Sequence, residues 1–364
     1  MEKTVVPIFF TADESYAPWL DCAIRSMEEN ASEAYKYQII VLHQDLSEES
    51  QRRIASGVCA PFEIRFIPME KELSGITDRT ENRLRCDYFT LTIYFRLFIA
   101  DRFPEYDKGI YLDSDIVVPG DISELYRMEL GDNIIGACAD RSIMPVPELV
   151  EYVENAVGVR IDQYINSGIL LMNLKKMREA GFCDHFLHLL HTFHFDCLAP
   201  DQDYINAMCN GKIVYLDEAW DVMPPMGGKE AEVQQNGKLP LTMVSASAPV
   251  GAKRLPLAGS TGGKSGSQLN CASHKAAIPK LIHYNLFQKP WCYDDIPYEE
   301  YFWDCAKQSP FYQDILRFKE NYSEEQKKSD QTCLENMIAK GPMVCRQEVT
   351  FRRMFEKGER IRIE

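Results

Sequence analysis

Long hydrophobic segments are missing from this sequence. No apolar run among its 364 residues reaches the roughly 20 residues that a membrane-spanning helix needs, which argues against an integral membrane protein. The first four residues lead directly into a short strand-like run, without the long apolar segment and small-residue cleavage site of a signal peptide. We therefore expect a cytoplasmic protein, either free or at the inner face of the plasma membrane.

An excess of positive charge is missing as well. The net charge is −15, and a surface this acidic repels nucleic acid, so we expect no nucleic-acid partner. A polyanion that arrives with its own metal ion is still compatible with this charge. The 12 cysteines form no C-x-x-C pair and no zinc-like spacing, which predicts reduced thiols that mostly fill the core.

Apolar residues make up 45% of the chain, enough for a sizeable core. Short apolar runs alternate with amphipathic ones, a pattern typical of an α/β fold with a mostly parallel central sheet flanked by helices. In such sheets, ligands bind beyond the carboxyl ends of the strands. The predicted strands are 8–11, 38–42, 62–66, 109–112, 134–137, 169–172, 212–216 and 280–284, and the predicted helices include 16–29, 47–55 and 90–100.

The organisation along the chain predicts a core region, 1–291, followed by a helical C-terminal extension, 292–364. Within the core region, the stretch 224–278 is irregular and rich in Gly, Pro and Ser, which is typical of a loop or insertion. It is either a lid over a ligand or a plain insertion. The tail 346–362 mixes arginines with phenylalanines, so peripheral membrane contact and ordinary packing are both open.

The first candidate site is Asp113-Ser114-Asp115, which follows the predicted strand 109–112. In an extended chain, side chains two residues apart point to the same face. Carboxylates at the end of a buried strand are costly unless they are paired or bind a metal. Together they suit Mg²⁺ or Mn²⁺, with phosphate oxygens completing the coordination. Two acids that merely cap a loop are the alternative.

His283 and Lys289 form the second candidate site. His283 ends a short predicted strand and is a candidate third ligand, and an imidazole favours Mn²⁺ over Mg²⁺. Lys289 is then placed to meet a diphosphate as a point charge. A hydrogen-bonded histidine and a solvated lysine are the alternative.

Two further motifs surround predicted element boundaries. Asp201-Gln202-Asp203 follows Pro200, which is typical of a helix start. Asn166-Ser167-Gly168 precedes the strand 169–172, and its small residues allow a ligand to approach the backbone closely. Simple helix capping and an ordinary turn are the respective alternatives.

Taken together, these motifs resemble the family 8 glycosyltransferases, which include bacterial lipopolysaccharide galactosyl- and glucosyltransferases and glycogenin. The resemblance runs from about residue 5 to residue 291. In chain order, the matching motifs are Thr11-Ala12-Asp13 with Tyr16, Tyr94 with Arg96, Asp113-Ser114-Asp115, Asn166-Ser167-Gly168, Asp201-Gln202-Asp203, and His283 with Lys289-Pro290-Trp291.

The resemblance implies a GT-A fold and retaining transfer of a hexose, glucose or galactose, from a UDP-sugar to a hydroxyl of a glycan or glycolipid. It also implies site residues. The implied metal ligands are Asp113, Asp115 and His283, and the implied ion is Mn²⁺ in preference to Mg²⁺. The donor contacts are Thr11, Ala12, Asp13 and Tyr16 at the uridine, Lys289 at the diphosphate, and Arg96, Asn166 and Asp201 at the sugar, with Ser114 and Ser167 as further donor-binding residues. The residues implied to be catalytic are Gln202, beside the anomeric carbon, and Asp201.

One departure from the family pattern and one residue that matches it bear on the reaction. Leu286 stands where many members have a glycine three residues after the histidine, so closure around the donor is expected to differ. Gln202 is an amide and hence a poor nucleophile, which favours front-face attack over a covalent intermediate. Two other functions remain open: self-glucosylation in the manner of glycogenin, and UDP-sugar binding without catalysis.

Overall fold

The computed structural model describes residues 3–69, 91–224 and 278–364. Nearly all of the irregular stretch that the sequence singles out, 225–277, lies outside the described residues, and so does the question of a lid. Among the helices of the described ranges, none combines the length and apolar character needed to cross a bilayer.

The described strands form a seven-stranded sheet in the order β3-β2-β1-β4-β7-β6-β8 and a two-stranded ladder of β5 and β9. The pairs β1–β2, β2–β3, β1–β4 and β6–β8 are parallel, whereas β7 runs antiparallel to both of its neighbours. The predicted mostly parallel sheet is thereby confirmed. The strands are β1 (Val5–Ala12), β2 (Lys36–His43), β3 (Phe62–Pro68), β4 (Gly109–Leu112), β5 (Ile116–Val117), β6 (Ile135–Ala137), β7 (Ile169–Met172), β8 (Ile213–Tyr215) and β9 (Ile282–His283).

The helices lie between the strands and continue after β9. They are α1 (Ala17–Glu28), α2 (Glu48–Ala55), α3 (Ile99–Arg102), α4 (Ile122–Arg127), α5 (Pro147–Tyr152), α6 (Leu174–Glu179), α7 (Phe182–Phe193), α8 (Pro200–Cys209), α9 (Glu299–Ala306), α10 (Tyr312–Asn321), α11 (Glu324–Cys345) and α12 (Phe351–Glu356). The predicted helix 90–100 is mostly a 3₁₀ segment, Leu91–Phe98. Its run of β-branched and aromatic side chains has low α-helix propensity.

Both faces of the sheet are covered by apolar side chains. Along β1, Phe9 packs into one cluster, whereas Ile8 and Phe10 pack into the cluster on the other face. Alternation with a period of two places successive side chains on opposite faces, so this strand is buried on both. Seven of the ten described cysteines are buried, as expected for core thiols.

The C-terminal helices pack onto the same core. Phe351 of α12 stacks on Phe195 with ring centroids 3.9 Å apart. Nε2 of His185, on α7, lies 2.9 Å from the carbonyl oxygen of Ile361, close to the last buried residue, Ile363. Apolar side chains of the tail 346–362 therefore pack against the core, which agrees with ordinary packing. A domain boundary near residue 291 stays a prediction.

Candidate active site and metal centre

The candidate site lies at one edge of the sheet, where β1, β4 and β6 end and β7 begins. The amide N–H of Asp113, just after β4, donates to the carbonyl of Gly168, just before β7, over 2.8 Å. Because β7 is antiparallel, its first residues reach the same edge as the last residues of its neighbours. Along this edge the order is Thr11 to Asp13, then Asp113 to Asp115, then Asn166 to Gly168, and then Asp140.

One cleft at this edge is lined by every predicted site residue except Lys289. The motifs that the sequence suggested therefore lie around a common space, although they are far apart along the chain. Lys289 is buried behind the cleft wall, where its Nζ donates to Asp115 Oδ2 and, over 2.8 Å, to the carbonyl of Tyr284. The solvated lysine considered as an alternative is wrong.

Asp113, Asp115 and His283 converge. One ligand atom from each lies within 4.8 Å of the others. His283 Nε2 is 3.4 Å from Asp115 Oδ1 and 4.0 Å from Asp113 Oδ2. The β5–β9 ladder creates this proximity, because it pairs His283 with Ile116, the residue after Asp115.

The charges in this cluster are strongly coupled. Burial opposes ionisation of Asp115, but Lys289 and His283 hold the pKa of its carboxyl below the ordinary value. Burial disfavours the charged form of His283, but Asp115 and Asp221 outweigh it and raise the pKa of the imidazole to about 10. Asp221 Oδ1 lies 3.2 Å from His283 Nδ1, so Nε2 points towards the other two carboxylates.

The cluster fits a divalent cation. Asp115 Oδ1 is buried and faces His283 Nε2 at 3.4 Å without a well-aligned hydrogen bond from the described residues, a costly arrangement unless a ligand satisfies it. At Gly168, a Cβ atom would collide with the His283 ring and lie 2.8 Å from Asp113 Oδ2, so glycine keeps this space open. Two carboxylates and an imidazole, oriented by an outer carboxylate, form a donor set typical of Mn²⁺ and related ions.

Arg96 connects two parts of the site. One is the group Asp113, Asp115 and His283, which we call the metal cluster, and the other is the set of residues expected at the donor sugar. Its guanidinium donates to Asp113 Oδ1 over 2.8 Å and to the carbonyl of Ser167 over 2.6 Å, and its Nε lies 3.2 Å from Asp201 Oδ2. Burial opposes its charge, but the neighbouring Asp113, Tyr111 and Asp201 keep its pKa above the ordinary value. Arg96 therefore stays charged and fixes both acids.

Gln202, at the start of α8, is held by both ends of its amide. Its Oε1 accepts from the N–H of Ser167 over 3.0 Å, and its Nε2 donates to Asp140 Oδ2 over 2.9 Å. The same Asp140 oxygen lies 3.3 Å from Asn166 Nδ2. This network fixes the orientation of the amide at the floor of the cleft.

Comparison with known proteins agrees with this geometry. The family model "Glycosyl transferase family 8" matches residues 7–295. The chain belongs to this family. It is 25% identical over 220 residues to a putative glycosyltransferase of Haemophilus influenzae, a match that covers 60% of this chain and 63% of that protein. It is 30% identical over 152 residues to the lipopolysaccharide 1,2-glucosyltransferase of Escherichia coli K12, covering 39% and 43% of the two chains. The matched segment thus spans less than two-thirds of either relative.

Solved structures place this family 8 chain in the GT-A fold. The galactosyltransferase LgtC, in complex with donor and acceptor sugar analogues, superposes with a TM-score of 0.60 at 23% identity, covering 89% of this chain and all of LgtC. The bifunctional glycosyltransferase WbbM superposes with a TM-score of 0.65 at 21% identity over 87% of this chain and 52% of WbbM. At these identities the likeness establishes the fold, and the predicted fold class is confirmed.

Sequence reasoning missed two acids of this family 8 site. Asp140 follows β6 much as Asp113 follows β4, so the rule that ligands gather at strand ends could have found it. Asp221 lies in a short irregular segment after β8, and no local signal marks it. Neither residue belongs to a motif that the resemblance covers, although both contact residues that do.

Asp13 and Leu286, both singled out in the sequence, have local backbone features that bear on their roles. Asp13 caps a short 3₁₀ turn, where its Oδ1 accepts from Ser15 Oγ over 2.5 Å and from the N–H of Tyr16 over 3.1 Å. Leu286, where many family 8 members have glycine, adopts a φ of +58° in the left-handed region and lines the cleft. The backbone that favours glycine is thus kept despite the larger side chain.

Proposed function

We propose that this protein is a metal-dependent, retaining hexosyltransferase that moves glucose or galactose from a UDP-sugar to a hydroxyl of a glycan or glycolipid. The observation that carries the proposal is the convergence of Asp113, Asp115 and His283 at the sheet edge. The choice of hexose is supported by two similar proteins, one named a glucosyltransferase and the other a galactosyltransferase.

Asp113, Asp115 and His283 would hold the cation, with Mn²⁺ preferred to Mg²⁺ because one ligand is an imidazole. When bound, such an ion stabilises the negative charge that accumulates on the departing diphosphate. We assign Lys289 to the same charge. Its ammonium group is buried behind the cleft wall, where it contacts Asp115, so the charge is already desolvated and close to the proposed metal ligands.

On the donor side we assign Thr11, Ala12, Asp13 and Tyr16 to the uridine, and Ser114 to the diphosphate. Arg96, Asn166, Ser167 and Asp201 are assigned to the sugar. Of these, Thr11 to Asp13 follow β1 and Asn166 and Ser167 precede β7, so they lie on opposite sides of Asp113 and Asp115 in the strand order. A UDP-sugar has its diphosphate between its nucleoside and its hexose, so the order of the residues matches the order of the ligand's parts.

Retention is assigned to front-face departure and attack. The carboxylates nearest to Gln202 are all engaged: Asp140 and Asp201 by side-chain donors, and Asp203 by two tyrosine hydroxyls. An amide whose oxygen already accepts a hydrogen bond is a weak nucleophile. The leaving phosphate oxygen then accepts the proton of the attacking hydroxyl, while Gln202 holds its position beside the anomeric carbon.

The deciding experiment is a screen of UDP-sugars for slow hydrolysis with and without Mn²⁺. We expect turnover of UDP-glucose or UDP-galactose that EDTA abolishes and Mn²⁺ restores. Asp115→Ala should abolish it too, whereas the matched control Asp132→Ala, whose side chain is 94% exposed, should leave it unchanged. Hydrolysis that survives EDTA or Asp115→Ala would overturn the proposal.

Intact-mass spectrometry during turnover tests the front-face assignment. We expect no mass increase of one hexose on the protein. A trapped adduct on Asp201, Gln202 or Asp203 would refute this assignment while leaving the transferase proposal standing. Progressive growth of the mass with UDP-glucose alone would instead reveal self-glucosylation.

A further inference from the structure

The lining of the cleft changes character beyond the residues assigned to the donor sugar. The polar residues at the ends of β1 and β4 give way to a set of aliphatic and sulfur-containing side chains, which we call the apolar wall. The apolar wall consists of Ile143, Leu149, Val153, Leu198, Cys333 and Met337. Ile143, Cys333 and Met337 are half-buried, and Leu149, Val153 and Leu198 lie buried in the core beside them. Neither motif analysis nor the assigned donor contacts account for this part of the lining.

The position of the apolar wall follows from the order of the strands. The uridine residues end β1, and β4 and β7 separate β1 from β6. Ile143 follows β6, and Leu149 lies on α5, the next helix along the chain. The part of the apolar wall that follows β6 therefore lies on the far side of Asp113 and Asp115 from the residues assigned to the uridine, which is the side that we assign to the acceptor.

Two members of the apolar wall come from α11, in the C-terminal extension. Gly341 of this helix packs so closely on α5 that a Cβ atom there would lie 3.0 Å from the carbonyl oxygen of Glu148. Met337 and Cys333 lie one and two turns earlier on the same face, because residues four apart align along a helix. The close crossing at Gly341 thus aims this face of α11 at the cleft.

Polar contacts hold α11 in place near both of its ends. Towards its start, Asp330 accepts from the hydroxyls of Tyr293 and Tyr322 over 2.6 and 2.7 Å. Just after its end, Gln347 donates to Asp196 over 3.0 Å. A helix fixed in this way presents a preformed surface, which lowers the cost of ordering it when a ligand binds.

Aliphatic side chains cannot replace the hydrogen bonds that sugar hydroxyls make with water, so burying hydroxyls against them is unfavourable. An apolar group of the acceptor gains free energy at the same surface. We infer that the acceptor carries an apolar aglycone or substituent that packs on the apolar wall, with Met337 of α11 as a specificity-determining residue. This inference rests on the proposed transferase function.

The test compares acceptors that differ only in their aglycone: methyl and octyl β-glucosides, and methyl and octyl β-galactosides, below the concentrations at which they form micelles. The donor is the UDP-sugar that passes the hydrolysis screen. We expect kcat/KM for the octyl glycoside to exceed that for its methyl partner by about tenfold or more. Met337→Gln should bring the ratio close to one, and Met337→Leu should preserve it.

The matched control is Met343→Gln, the same substitution on the same helix at a side chain that is 64% exposed. This variant should keep the wild-type ratio. A wild-type ratio near one, or equal loss in Met343→Gln and Met337→Gln, would overturn the inference. If the donor is not hydrolysed at all, the transferase proposal fails instead, so the two failures are distinguishable.

A second measurement requires no turnover. Alkylation by N-ethylmaleimide, followed by peptide mass spectrometry, compares Cys333 in the cleft with Cys59, which is exposed elsewhere. Octyl glycosides should slow alkylation of Cys333 but not of Cys59, and methyl glycosides should slow neither. Alkylation of Cys333 that octyl glycosides leave unchanged would contradict an apolar acceptor site there.

Discussion

Two buried acidic clusters lie near the same edge of the sheet, and they differ in how their oxygens are satisfied. In the metal cluster, Asp115 Oδ1 accepts no well-aligned hydrogen bond from the described residues. In the second cluster, Asp203 accepts from the hydroxyls of Tyr152 and Tyr164 over 2.6 Å each, and from the N–H groups of Leu198 and Ala199. Burial and the Asp203 charge raise the pKa of both tyrosines, so they remain donors.

The comparison shows that burial of an acid alone does not identify a functional group. Asp203 is fully buried and lies next to Gln202, yet its oxygens are engaged in holding the start of α8. Asp115 is nearly as buried and retains an oxygen directed at His283. The unsatisfied atom, together with convergent donors, is what points to a ligand.

The largest expected effect is on metal binding by Asp113→Asn. Removing one carboxylate ligand should weaken Mn²⁺ binding by more than about a hundredfold, beyond what outer residues usually contribute. Isothermal titration calorimetry measures this directly. Asp132→Asn serves as the control, because its carboxylate is exposed and pairs with the surface residue Lys176. Wild-type affinity in Asp113→Asn would remove this residue from the metal cluster.

Asp203→Asn should have the opposite profile. Its NH₂ group would replace one carboxylate oxygen and could not accept from the groups that now donate to that oxygen, so we expect the free energy of unfolding to fall by about 2–3 kcal/mol. Urea denaturation measures the loss, and calorimetry should show Mn²⁺ affinity unchanged. Tyr164→Phe, which removes one donor, should cost about 1 kcal/mol. A large drop in metal affinity with little loss of stability would contradict the structural role of Asp203.

Asp221→Asn tests the orientation of His283. The carboxylate beside Nδ1 fixes the imidazole, and losing its charge should reduce Mn²⁺ affinity by about 10- to 100-fold. Binding isotherms for the wild type and this variant provide the measurement. If Asp221→Asn binds Mn²⁺ with wild-type affinity, Asp221 does not orient His283 for metal binding.

The smallest effect concerns the backbone next to the metal cluster. Leu286→Gly should relieve a left-handed conformation that costs roughly 1–2 kcal/mol, partly offset by the greater entropy of glycine in the unfolded chain. We expect a net stabilisation below about 1 kcal/mol in urea denaturation. Leu286→Ala keeps the unfavourable conformation and should give no such gain. Equal stabilisation by both variants would place the cause in the side chain.

Much of the fold followed from the sequence because apolar alternation is a local signal. The predicted strands correspond to β1, β2, β3, β4, β6, β7, β8 and β9. The antiparallel direction of β7 did not follow, because strand direction depends on how the whole chain connects. The 3₁₀ geometry of Leu91–Phe98 could not be predicted either, because the apolar pattern is compatible with either kind of helix.

The site was predictable where its residues cluster in motifs. Asp113, Asp115 and His283 came together as the resemblance implied, although their roles remain predictions. Asp221 has no motif, because its contact with His283 depends on the path of the chain after β8. The apolar wall was missed because the sequence analysis assigned residues 292–364 to a separate helical extension, whereas α11 of that region lines the cleft.

Cys333 and Met337 have a consequence for how members of this family are compared. Both residues line the cleft, yet both lie beyond residue 295, where the family match ends. Two proteins can therefore agree at every position of the shared segment and still differ in the shape of the cavity. Sorting such proteins by the shared segment alone compares the residues that we assign to the donor and leaves out part of the surface that we assign to the acceptor.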